Sequence, residues 1–166
     1  MKGFAHESIA SSVPIEWYTP PEIFEALGIT FDLDPCSPPF NRCSYVPARN
    51  RISLPDDGLA TKWDGNVWLN PPYGRQTPIW LKKLSEHGCG IALTYSRTDT
   101  SWFQDAARKS TGVIFIAKRI KFINGETGQP GQQPGAGSCL IIYGEENWTQ
   151  ASKSNLGVAM CVHKSF

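Results

Sequence analysis

The chain lacks net charge: 16 Lys and Arg against 15 Asp and Glu leave +1 over 166 residues. It therefore has no strongly basic balance of the kind by which nucleic-acid binding usually declares itself. Contacts with a polyanion must come from local clusters, and the candidates are Arg75 with Lys82 and Lys83, and Lys118-Arg119 with Lys121. Taken alone, each cluster is more often a solvated face. The five cysteines, Cys36, Cys43, Cys89, Cys139 and Cys161, are odd in number and scattered, with no CxxC pair and no histidine at zinc-ligand spacing. That pattern argues against a disulfide framework and a metal site, and predicts buried free thiols in a reducing cytosol. A long hydrophobic run is also missing, at the N-terminus and elsewhere, so no leader or membrane span is expected and the protein reads as soluble and cytoplasmic. There is no internal repeat.

What is present fits one globular domain. With 40% apolar and 19% charged residues, a chain of this size buries roughly two thirds of the surface its unfolded form exposes and needs no staple. Residues 1–14 read as an N-terminal tail and 15–166 as a single domain. Short runs rich in β-branched and aromatic residues at Thr30 to Leu33, Asn66 to Leu69, Gly90 to Tyr95, Gly112 to Ala117, Ser138 to Tyr143 and Gly157 to Val162 predict strands. Pro21 to Leu27, Pro78 to His87 and Thr100 to Lys109 have helical character, with Pro21 and Pro78 suited to helix starts and Gly88 to a C-cap. This alternation predicts an α/β fold with a mainly parallel sheet flanked by helices. The stretch from Asn124 to Gly137 holds five glycines, two prolines and three glutamines, which predicts a mobile loop that is a candidate to touch substrate. Residues 35–62 give no clear element.

Chemistry concentrates in Asn70-Pro71-Pro72-Tyr73, directly after the strand Val67-Trp68-Leu69 and so at a strand's carboxyl end, where α/β sheets bind ligands. An exocyclic aromatic amine is a poor nucleophile because its lone pair is delocalised into the ring. An asparagine side-chain oxygen and the carbonyl of the following proline can accept its two N–H bonds and turn that lone pair outward, while the prolines fix the backbone. Preorganised acceptors aimed at developing positive charge are a large catalytic term. Tyr73 offers a face on which an extruded base can stack, contributing on the order of 1–3 kcal/mol. The competing explanation is a rigid turn, although at this chain's composition the tetrapeptide arises by chance in roughly one such sequence in a thousand.

On these residues the chain resembles the amino-methyltransferases with an (N/D/S)PP(Y/F/W) motif, and more closely the phage and prophage DNA N6-adenine methyltransferase (Dam-like) family. The resemblance runs in order over about residues 15 to 145. It is carried by Glu16-Trp17-Tyr18-Thr19-Pro20, Phe31-Asp32-Leu33-Asp34-Pro35-Cys36, Asp57-Gly58-Leu59, Trp63, the NPPY segment, Arg97-Thr98-Asp99-Thr100 with Trp102-Phe103, Arg119-Ile120-Lys121-Phe122, and Gly137-Ser138. It implies a Rossmann-like fold that binds S-adenosyl-L-methionine beside the NPPY loop, with Asn70, Pro71, Pro72 and Tyr73 catalytic.

Carried over by position, Tyr18, Thr19 and Pro20 would flank the methionine end of the cofactor, and Asp34, Pro35 and Cys36 would form the first cofactor-binding loop. Asp34 would anchor the cofactor's ammonium or a ribose hydroxyl; a strand-end turn is the other reading. Residues 34–39 contain no glycine, where the class commonly has a glycine-rich turn. Asp57 is a partner for the cofactor's adenine or a turn residue, and the sequence leaves both open. Arg75 is a candidate DNA contact. Arg97, Asp99 and Trp102 would shape the base pocket or touch phosphate, with a helix cap at Asp99 or Thr100 as the alternative. Arg119 and Lys121 suit phosphate contacts, and Gln129, Gln132 and Gln133 suit adenine edges or a flexible linker.

The implied reaction extrudes adenine from DNA and transfers a methyl group in line to its amine. The implied partner is DNA, the chain acts as a monomer or homodimer, and the setting is a bacterial host. Other planar amino groups (cytosine N4, RNA guanine, protein glutamine) present similar geometry, and a non-catalytic relative that only binds nucleic acid or cofactor is a further alternative.

Overall fold

The computed structural model describes residues 16–163. The tail expected over 1–14 lies outside them. Among the described residues nine strands and four helices follow in the order β1 (Trp17–Tyr18), α1 (Pro21–Leu27), β2 (Phe31–Asp34), β3 (Ala48–Arg51), β4 (Val67–Leu69), α2 (Thr77–His87), β5 (Gly90–Tyr95), α3 (Ser101–Lys109), β6 (Gly112–Ile116), β7 (Ile123–Asn124), β8 (Ser138–Tyr143), α4 (Glu145–Ala151) and β9 (Gly157–Cys161).

The predicted helices form where their caps place them. Pro21 opens α1 with the fixed φ that a first helical residue needs, and the helix buries Ile23, Phe24 and Leu27 on one stripe. In α2 the stripe is Trp80, Leu81 and Leu84, and Gly88 closes the helix at φ 79°, a left-handed angle at which glycine carries no Cβ penalty.

Seven strands form one sheet in the order β3-β2-β4-β5-β8-β6-β9. The pairs β2/β3, β2/β4 and β4/β5 are parallel. Those of β8 with β5 and β6, and of β9 with β6, are antiparallel. Strands β3, β2, β4, β5 and β6 thus point one way and β8 and β9 the other, so the sheet is mixed rather than mainly parallel. The cause lies in the connections: β8 returns after the 117–137 segment without a crossover helix and inserts between β5 and β6, a geometry open only to a reversed strand.

Side chains alternate across this sheet and divide the core into two layers. Val67, Leu69, Ala92, Cys139 and Ile141 face α2 and α3 through Trp80, Leu81, Leu84, Phe103 and Ala106. Trp68, Ile91, Leu93, Leu140 and Ile142 face α1 and α4 through Ile23, Phe24, Leu27 and Ala151. Trp68 is fully buried, with the Phe24 ring edge-on at 4.7 Å and Phe31 at 5.4 Å.

The second sheet is a two-stranded ribbon of β1 against β7, pairing Trp17 with Asn124 and Tyr18 with Ile123. It corrects the expectation of a mobile loop over 124–137, because the first part of that segment is a hydrogen-bonded turn. The Asn124 side chain accepts the N–H groups of Glu126 and Thr127, Asn124 N–H reaches Gln129 O at 2.9 Å, and Gly131 N–H reaches Phe122 O at 2.8 Å. Gly131 is required there by close approach, since a Cβ would collide with the Trp17 ring lying on it.

All five cysteines are free, but only Cys139 is fully buried; Cys43 and Cys161 are exposed, which corrects the expectation of buried thiols. Among the described residues no helix is long and apolar enough to cross a membrane.

Candidate active site

Because β2, β4 and β5 are adjacent and parallel, their carboxyl ends bring Asp34, Asn70 and Tyr95 to one edge of the sheet. The ribbon approaches the same edge. Between them lies a cavity of about 550 Å³, whose lining includes Tyr18, Thr19, Asp34, Cys36, Ser37, Trp68 and the whole Asn70-Pro71-Pro72-Tyr73 segment.

The polar groups of this cavity are unusual for a folded interior, where buried polar atoms are nearly always paired. Thr19 Oγ1, Ser37 Oγ and Trp68 Nε1 are buried without a hydrogen-bond partner, three of seven such side-chain atoms among the described residues. Leaving a buried donor or acceptor unmade costs about 1–3 kcal/mol, and three residues that carry such an atom belong to the lining of this one cavity. Asp34 is 2% exposed. Burial pushes its carboxyl up to about 7, against the downward pull of the Cys36 N–H, which it accepts at 3.1 Å, and of the nearby Arg51 guanidinium. The Cys36 thiol is pushed well up by burial and by Asp34.

The NPPY loop is pinned by a residue that the sequence reading missed. Thr77, buried at the start of α2, donates from Oγ1 to Pro72 O at 2.9 Å and accepts from Gly74 N–H at 3.0 Å. Among the described residues the Pro71 carbonyl accepts no hydrogen bond. The Asn70 carboxamide oxygen accepts one, from the Tyr73 hydroxyl at 3.2 Å. Tyr73 lies with one ring face on Tyr95, centroids 4.4 Å apart and planes inclined by 21°, while 39% of its surface is open. Burial, with Tyr95 and Cys139 adding to it, raises the phenol above its ordinary range.

Other residues singled out from the sequence fall elsewhere. Pro20 lines a neighbouring groove of about 300 Å³ together with Arg119 and Lys121. Pro35 is buried outside the cavity lining. Asp57 lies outside it too: exposed, with Oδ1 accepting Leu59 N–H at 2.8 Å, it has the geometry of a turn residue.

Of the first cationic cluster, Lys82 pairs with Glu86. Lys83 Nζ donates to the carbonyls of Leu59 at 2.6 Å and Thr61 at 2.5 Å and sits over the Trp63 ring. Arg75 alone in that cluster makes no side-chain hydrogen bond or ion pair among the described residues. Arg97 and Asp99 are exposed at the carboxyl edge, and neither Asp99 nor Thr100 caps α3 through its side chain, since the Thr100 hydroxyl turns back to Arg97 O. Trp102 packs edge-on against Phe103, partly buried on the core. Gln132 and Gln133 are exposed. Among the described residues no group of three His, Cys, Asp or Glu side chains could hold a metal ion.

A cavity at the carboxyl edge of the sheet, lined by Asp34, by the NPPY segment and by three residues with unpartnered buried polar atoms, has the place and lining of a ligand site in an α/β enzyme. Comparison narrows the class. Residues 8–160 match the family described as DNA N-6-adenine-methyltransferase (Dam), and the chain belongs to that family. It is similar to the DNA N-6-adenine-methyltransferase of Haemophilus phage HP1 (strain HP1c1), 29% identical over 137 residues that cover 76% of this chain and 77% of that protein. It is also similar to the DNA N-6-adenine-methyltransferase of Escherichia phage T1, 28% identical over 154 residues, 78% of this chain and 62% of that longer relative. No solved structure matches the chain.

Proposed function

We propose that the chain methylates the N6 amine of an adenine extruded from DNA, with Asn70 Oδ1 and the Pro71 carbonyl as the two acceptors of the amine hydrogens. The observation that carries this reading is that the NPPY loop, Asp34 and three residues with unpartnered buried polar atoms line one cavity. Accepting both N–H bonds turns the nitrogen lone pair out of the ring plane and stabilises the positive charge that develops as the new N–C bond forms. Thr77 fixes the loop backbone at Pro72 and Gly74, next to the acceptors.

S-adenosyl-L-methionine fits the remaining chemistry of the cavity and, when bound, supplies a methyl group activated by a sulfonium. The ionised Asp34 would hold its ammonium or a ribose hydroxyl. Trp68 Nε1–H and the hydroxyls of Thr19 and Ser37 would meet its remaining polar atoms, with Tyr18 and Cys36 completing the wall. The open face of Tyr73 receives the base, and stacking there offsets the few kcal/mol that extrusion costs. Arg75, Arg97, Arg119 and Lys121, exposed beside the same sheet edge, are the proposed phosphate contacts. Residues 15–166 act as one catalytic domain behind a tail of 1–14, as a monomer or homodimer in the cytoplasm of a bacterial host.

The test is transfer of labelled methyl from S-adenosylmethionine to unmethylated DNA, with the product digested to nucleosides. Label in N6-methyladenine that Asn70→Ala lowers by about 10²–10³-fold in kcat, the scale of one lost preorganised group, supports the reading. Label in another nucleoside, or none in DNA from a folded, cofactor-binding protein, refutes it.

A further inference from the structure

We propose that the Tyr73 hydroxyl occupies the place of the substrate amine on Asn70 Oδ1, and that Tyr95 is a positioning residue that holds the Tyr73 ring while the amine displaces that hydroxyl. The inference rests on the assignment of Asn70 as an amine acceptor and deepens it.

Three observations carry it. Of the two lone pairs on Asn70 Oδ1, one is already engaged by Tyr73 OH at 3.2 Å, so an adenine N–H approaching along that direction competes with the phenol. The 3.2 Å separation is longer than an ordinary O–H···O bond, and exchange for a closer donor is readily reached. Next, the ring is held independently of that bond, because its inner face lies on Tyr95 at 4.4 Å and 21°. When the hydroxyl is displaced, the stack keeps the outer face where a base can lie on it. Finally, Tyr95 is fixed by the sheet itself: it is the last residue of β5, in register with Ser138 of β8, so its ring has a rigid base.

The consequence is a three-layer pile at the carboxyl edge, Tyr95 below, Tyr73 between and the adenine above. Tyr95 touches neither base nor cofactor and acts only through Tyr73. Aromatic stacking beyond area burial is modest, so loss of the Tyr95 ring should weaken use of DNA by about tenfold. The Asp34 side of the cavity should not feel the change, because Tyr95 is not in its lining.

The experiment compares Tyr95→Ala, Tyr95→Phe and Tyr73→Phe on DNA prepared without N6-methyladenine. KM for DNA and kcat are measured together with the Kd of S-adenosylhomocysteine. Tyr95→Ala is expected to lower kcat/KM for DNA about tenfold with that Kd unchanged, and Tyr95→Phe to restore it, since the ring and not the hydroxyl is needed. Tyr73→Phe removes the competing donor and is expected to lower KM for DNA by a few-fold. Full kcat/KM in Tyr95→Ala, a parallel loss of S-adenosylhomocysteine binding, or a raised KM in Tyr73→Phe would overturn the inference. Should Asn70→Ala still abolish methylation in that case, the assignment of the acceptors stands and only the displacement and the stack fail.

Discussion

Replacing Asp34 by asparagine should stabilise the protein at alkaline pH and weaken its hold on the methyl donor. In the folded protein the carboxyl is raised from 3.8 to about 7, chiefly by burial. A group raised on folding contributes stability that is full below its unfolded pKa and is lost as pH climbs through the folded one. Asp34 therefore weakens the fold progressively from pH 4 upward, and by pH 8 the ionised side chain costs about 4 kcal/mol at 1.36 kcal/mol per tenfold. Asparagine keeps the oxygen that accepts Cys36 N–H and carries no charge. The expected difference between Asp34→Asn and the parent is near zero at pH 4 and grows to about 4 kcal/mol at pH 8, or about 8–16 °C in Tm for a chain of this size. Urea or thermal unfolding at pH 4, 6 and 8 without ligand reads this directly, and calorimetric titration with S-adenosylhomocysteine at pH 8 should show affinity lower by tenfold or more. A stability gain independent of pH, or a loss at pH 8, would refute the argument that a buried, functionally retained charge sets the slope.

Thr77→Val deletes the hydroxyl that links Pro72 O to Gly74 N–H; it should lower stability by about 1–2 kcal/mol and kcat more than KM, measured by unfolding and by methyl transfer. Trp68→Phe removes an indole N–H that has no partner in the protein. The smaller ring leaves a gap beside Phe24 and Phe31 and should lower stability, but it breaks no hydrogen bond within the protein; S-adenosylhomocysteine should weaken by about 1 kcal/mol, and an unchanged Kd would remove Trp68 from the ligand's partners. Gly131→Ala places a methyl group where the Trp17 ring lies, so the ribbon should shift, Trp fluorescence should change and the KM for the methyl donor should rise, with the seven-stranded sheet unaffected in far-ultraviolet dichroism.

The elements legible in the sequence are those whose own residues decide them. Gly90 to Tyr95 and Ser138 to Tyr143 are strands with the bounds their apolar runs suggest, and Pro78 with Gly88 frames α2 to within one residue. Strand β3, Ala48-Arg49-Asn50-Arg51, is hidden because it is an edge strand with polar side chains in water. Helix α4 is hidden because seven residues with only Asn147 and Ala151 buried carry no readable stripe. The direction of β8 is a property of its neighbours and of the path that delivers it, which no local pattern encodes.

The same division holds at the site. Asn70 to Tyr73 and Asp34 can be singled out because their residue types are informative at strand ends. Trp68 looks like any core aromatic in its strand, and its unpaired N–H becomes visible only when Thr19 and Ser37 are seen beside it. Lys83 looks like a surface cation until the 59–61 carbonyls fold over it.

The late arrival of β8 shapes how the chain emerges during synthesis. Strands β4 and β5 can zip as soon as residue 95 is made, but β6 has no partner among the earlier strands and waits unpaired for Ser138 to Tyr143. Until then β5 presents a bare, largely apolar strand with an unpaired edge, the kind of surface on which nascent chains stick to one another. A fragment ending anywhere between residues 96 and 137 is thus an aggregating species, whereas a break between α4 and β9 strips only an outermost strand. In the intact chain β8 is the late keystone, closing two gaps with one stroke before β9 joins the edge of β6.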